Sequence, residues 1–111
     1  ANQKPGRFVN VGRAALSKKG YVAIHQEEAD APGAIIGFGS LLNTGESRNL
    51  SVTLNRKSVA GENMYAMIHW DNNNGTFNPA DDMAATDKDG NMVMAKFMIS
   101  ESASEPIEYK L

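Results

Sequence analysis

The chain has no cysteine. That excludes a disulfide framework, thiolate metal sites and cysteine nucleophiles. It also excludes a blue-copper centre, which needs a Cys thiolate. No apolar run approaches the roughly 18 residues of a membrane-spanning helix. Neither sign of charge dominates. Eleven Lys and Arg stand against 13 Asp and Glu, a net charge of −2, so no strong field advertises nucleic acid or anionic lipid as a partner. The Lys18-Lys19 pair is too short for a nucleic-acid patch and has no aromatic row beside it. No segment carries a convincing helical period.

What is present is alternation. In Asn63 to Asp71 (NMYAMIHWD), Met64, Ala66, Ile68 and Trp70 fall on one side of an extended strand, and Tyr65, Met67, His69 and Asp71 on the other. Both sets are largely apolar or aromatic, which predicts a central strand buried on both faces. The stretch holds the only Trp and one of the two His.

The 111 residues suffice for one domain with its own core. Residues 1–7 (ANQKPGR) read as a flexible N-terminal arm, and residues 8–111 as a single β-sandwich domain. Phe8 to Ser17 and Tyr21 to Glu27 alternate, and the Lys18-Lys19-Gly20 turn between them predicts a hairpin. Glu28 to Gly33 reads as a loop, punctuated by Pro32-Gly33. Ala34 to Leu42 follows as a strand whose Gly37 and Gly39 mark a bulge or a close backbone approach.

Arg48 to Arg56 is the plainest half-buried strand, with Leu50, Val52 and Leu54 inward. Asn72 to Gly90 has no sustained period. About 19 irregular residues is long for a compact domain, and Phe77 and Met83 are its candidate anchors. In Asn91 to Ser100, Val93, Ala95, Phe97 and Ile99 oppose Met92, Met94, Lys96 and Met98. Ile107 to Leu111 alternates as a short edge strand, which either covers an edge of its own domain or adds to a neighbour's sheet. The pattern predicts an all-β chain, an immunoglobulin-like or cupredoxin-like antiparallel β-sandwich of about seven strands.

Several stretches also carry a family resemblance: YVAIHQ, AIIGFGSLLNTGESRNLSVTLN, MYAMIHWDNNNGTFNPADD and DKDGNMVMAKFMI. Their marks are a strand ending in His25, a Gly-rich Gly37 to Gly45 stretch, a V-x-L strand, and the A-M-x-H-x-D strand of Ala66, Met67, His69 and Asp71. The chain resembles, over residues 8–100, a family of exported bacterial and archaeal β-sandwich domains of unknown function. The resemblance implies a secreted or surface-attached protein, and no catalytic residue comes with it. The first residues, Ala-Asn-Gln-Lys-Pro without an initiator Met, suit a chain exposed by signal-peptide cleavage and equally a trimmed fragment.

The candidate metal ligands are His25, His69, Met67 and Asp71. Imidazole and thioether suit copper. Yet two His 44 residues apart have no diagnostic spacing, and hydrogen-bonded histidines at strand ends account for them as well. Asp71, Asp81, Asp82, Asp87 and Asp89 offer calcium its oxygen ligands, but Trp70 stands where an EF-hand loop needs its first carboxylate. Met64, Met67, Met92, Met94 and Met98 read as core or contact filler. Ser40 is no nucleophile elbow, because Leu42 replaces the second Gly.

The sequence therefore predicts a non-enzymatic exported structural or interaction module of a cell-surface or extracellular assembly. Its expected partners are proteins or further copies of itself, with no nucleic acid, no direct membrane insertion and no cofactor. The alternative is a periplasmic or extracellular copper- or calcium-binding protein.

Overall fold

The computed structural model describes residues 5–16, 18–39, 41–71, 85–86, 89–90, 94–100 and 107–108. Among these there is no helix. They form seven strands: β1 (Phe8–Leu16), β2 (Gly20–Glu28), β3 (Ala31–Phe38), β4 (Gly45–Thr53), β5 (Asn63–Trp70), β6 (Met94–Met98) and β7 (Ile107–Glu108). One sheet has the order β4-β1-β7 and the other β3-β2-β5-β6. All pairings are antiparallel except β1 with β7.

The arrangement is sandwich-like because alternation gives each sheet one apolar face, and the two faces share a core. Val9 and Val11 of β1 and Val52 of β4 meet Val22 and Ile24 of β2, Met64, Ala66 and Ile68 of β5, and Phe97 of β6. The expected V-x-L alternation holds, with Val52 and Leu54 buried, Leu50 packed beside them, and Ser51 and Thr53 exposed.

Three expectations about local structure need correction. The Lys18-Lys19-Gly20 turn does not close a hairpin, since β1 and β2 lie in different sheets. The chain crosses over because Gly20 bonds elsewhere. Its N–H donates to Leu42 O at 3.1 Å, its own carbonyl accepts from Leu42 N at 2.8 Å, and it pairs with Trp70. A Cβ on Gly20 would stand 2.5 Å from His69 O, so only glycine allows that approach. The hairpin is instead β2–β3, turned by Ala29 and Asp30, both at positive φ (53° and 61°).

Second, Pro32 and Gly33 lie inside β3. This is an edge strand, where a missing N–H is tolerated. Third, β3 ends at Phe38, and Leu42 forms only an isolated bridge to Gly20.

At the chain's start, Gly6 and Arg7 are bonded to the body. Gly6 O accepts from Ser58 N at 2.8 Å, and Arg7 O from Leu54 N at 2.7 Å. At its end, Ile107 pairs with Val11 and Glu108 with Arg13, so these two tail residues line an edge of their own sheet. Phe77, Met83, Asp81, Asp82, Asp87, Met92, Val93 and Tyr109 to Leu111 lie outside the described residues.

Candidate functional site

β2 and β5 pair in an unbroken register that sets Tyr21 opposite His69, Ala23 opposite Met67 and His25 opposite Tyr65. By alternation these six side chains leave the face opposite the shared core. A face pointing out of a two-layer fold is ordinarily wet, yet all six are buried. The sequence expectation of a central strand buried on both faces holds for β5, and β2 shares it.

His25 and His69 start four positions apart along this register and lean toward each other across the Ala23–Met67 pair. Alanine at 23 leaves room for them. Their Nε2 atoms are 3.3 Å apart, their ring centroids 5.5 Å, and the ring planes differ by 12°.

The protonation pattern follows from one backbone group. Gly33 O can only accept, so His25 Nδ1 carries the hydrogen and donates to it at 2.8 Å. In the neutral ring Nε2 is then a lone pair, which accepts from His69 Nε2–H. Burial lowers the pKa of His25 below the ordinary imidazole range. The Gly33 bond opposes that shift, and the neighbouring His69 adds to it.

Gly33 is aimed by the irregularity of β3. Between His25↔Ile35 and Glu27↔Pro32, β3 carries one residue more than β2, a bulge at Gly33 and Ala34. The Glu28 carboxylate folds over this bulge and accepts from Ala34 N at 2.6 Å and Gln26 Nε2 at 3.3 Å. The bond from Ala34, then that from Gln26, hold its carboxyl below the usual range. A side chain at Gly33 would run into that carboxylate.

A polar cluster adjoins the pair. Tyr65, opposite His25, shares its one hydroxyl hydrogen between Asp30 O at 3.0 Å and Glu27 at 3.3 Å. Glu27 also receives Lys96 Nζ at 3.3 Å and Asn63 at 3.4 Å, and Lys96 lies 5.8 Å from the centre of the Tyr65 ring. Desolvation acts to raise the Glu27 pKa, but the bonds from Lys96, Asn63 and Tyr65 outweigh it and the net shift is downward.

Of the four sequence-derived metal candidates, the fold brings His25 and His69 together and sets Met67 in register between them. Asp71 follows β5, with its N–H bonded to Lys19 O at 3.0 Å. Its Oδ1 is buried without a hydrogen-bond partner among the described residues. No group of three His, Cys, Asp or Glu among the described residues is placed to hold a metal. The methionines do not form one stripe: Met64 is in the core, Met67 is on the opposite face, and Met94 and Met98 are exposed. Sequence reasoning missed Gly33, Glu27, Tyr65 and Lys96. A backbone carbonyl leaves no mark in a sequence, and the other three meet only through strand pairing.

The family model described as a domain of unknown function, DUF7282, matches residues 1–100. The chain belongs to this family. A curated protein similar to the chain in sequence is cell surface glycoprotein 2 of Haloarcula hispanica, 33% identical over 106 residues. The match takes in 94% of this chain, and the chain spans only 11% of that protein's length. No solved structure matches the chain significantly.

Proposed function

We propose that residues 8–111 act as one non-enzymatic, exported DUF7282 domain, a structural or interaction module of a cell-surface or extracellular assembly. One observation carries this reading: nearly the whole chain aligns with a small part of a long protein named as a cell surface glycoprotein. A module in such a chain acts through what it holds and touches. Exposed Phe8, Phe38, Val59, Met94 and Met98 offer apolar contacts to protein partners or further copies. Two sheets with β7 running parallel to β1 support the finer assignment to an immunoglobulin-like or cupredoxin-like layout. Protease treatment of intact native cells tests the location. Loss of an epitope inserted at the exposed Ala60-Gly61 turn, with cytoplasmic markers intact, is the expected result. Protection until lysis contradicts it.

The convergence of His25 and His69 favours a second reading, an extracellular or periplasmic metal-binding protein. Copper suits that pair better than calcium, which selects oxygen ligands.

A further inference from the structure

We propose that His25 Nε2, His69 Nε2 and the Met67 thioether form a site for a single Cu(I) ion, an inference that rests on the metal-binding reading. The spacing is the first support. Two nitrogens, each about 2.0 Å from one ion, stand about 3.5 Å apart in three-coordinate geometry and about 4.0 Å apart in linear two-coordinate geometry. The two Nε2 atoms are separated by 3.3 Å. The rings therefore part by about 0.2 Å to admit a three-coordinate ion, which replaces the hydrogen bond between them. His69 then carries its hydrogen on Nδ1 in place of Nε2, and both rings stay neutral.

Orientation is the second support. The Gly33 carbonyl holds His25 Nδ1–H and so presents Nε2 as a lone pair, the outer arrangement that metal-ligating histidines ordinarily have. The bulge and the Glu28 carboxylate hold Gly33 in turn.

The donor set selects the ion. Met67 leaves the same face of β5 at the register position between the two imidazoles. Thioether sulfur is a soft ligand that favours Cu(I). His25, His69 and Met67 are 8%, 6% and 3% exposed, which leaves little access for the waters that complete the shell of a divalent ion. Among the described residues no third His, Cys, Asp or Glu joins the pair to neutralise a second charge. A monovalent ion content with two or three ligands fits this site. Zinc, which takes four, does not.

The test uses tag-free full chain, reduced copper under anaerobic conditions and a chromophoric Cu(I) competitor. The expected result is one Cu(I) per chain, bound well below micromolar. X-ray absorption should show nitrogen and sulfur scatterers together. Met67→Leu keeps the apolar volume, so it folds. It should weaken Cu(I) binding by at least about tenfold. His69→Asn should abolish the site, with circular dichroism confirming the fold. Unchanged affinity in Met67→Leu, or absorption without sulfur, overturns the proposal. Parallel titrations with Zn(II) and Cu(II) separate the two levels of failure. Tight binding of either divalent ion in place of Cu(I) overturns the ion assignment and leaves the metal-binding reading. Binding of none of the three overturns both.

Discussion

Gly37→Ala and Gly39→Ala should shift stability in opposite directions. Gly37 sits where the two sheets meet at the β3 edge. It bridges Leu54, and next to it Asn55 N–H donates to Ile36 O at 2.7 Å. A Cβ at position 37 would stand 2.5 Å from Thr53 O and 3.2 Å from Leu54 Cδ2. The nearer atom is backbone and cannot rotate away. To reach ordinary carbon–oxygen contact the bridge must open by about 0.8 Å. Overpacking of this kind costs about 2–3 kcal/mol. In a domain of this size that lowers Tm by about 10 °C. At Gly39 the nearest atom to an added Cβ is Val52 Cγ2 at 3.7 Å, an ordinary contact. There the reduced freedom of the unfolded chain should stabilise by about 0.4–1 kcal/mol. Urea and thermal melts followed by circular dichroism measure both. A Gly37→Ala protein within about 0.5 kcal/mol of wild type, or equal losses in both variants, would refute the close-approach argument.

Four further outcomes follow from the same structure. Ala29 and Asp30 hold the positive φ of a two-residue hairpin turn without glycine, so the double change Ala29→Asn, Asp30→Gly should add about 1 kcal/mol; an unchanged melt would count against it. The His25 pKa is depressed in the folded chain, so the unfolded chain takes up the proton first as pH falls. Stability of the metal-free protein should be full above the ordinary imidazole pKa and decline between about pH 7.5 and about pH 5.5. A urea midpoint that holds or rises over that interval contradicts the sign. Met64 is fully buried, and Met64→Ala should cost about 2–5 kcal/mol in chemical denaturation, where a loss below about 1 kcal/mol would contradict its place in the core. Arg56 grips Glu62 through two bonds of 2.9 Å in a partly exposed setting, so Arg56→Lys should cost no more than about 1 kcal/mol, and a larger loss would show that the pair does more than clamp its loop.

The sequence by itself determined the strands and their faces. Val52 and Leu54 turn inward, both sides of Met64 to His69 are buried, and Phe97 opposes Met98, because a period of two is written in neighbouring residues and needs no partner to be read. It also marked Gly37 and Gly39 as a bulge or a close backbone approach, since a missing side chain is visible wherever it falls. Only the fold shows that Gly37 lies against another backbone and Gly39 does not. Tertiary structure alone decided which strands pair. Lys18-Lys19-Gly20 has the length of a hairpin turn, but a short turn equally serves a crossing between sheets, and the choice was made by bonds from Gly20 to the distant Leu42. Pro32-Gly33 looks like loop chemistry until the edge position of β3 makes it harmless. His25 and His69 carry no spacing signal across 44 residues. Their meeting depends on the β2–β5 register, on Ala23 leaving space between them and on one carbonyl of a bulged edge strand. Local periodicity encodes what each strand buries, whereas pairing is settled by the burial of both faces at once, a sum over the whole chain that no short stretch contains.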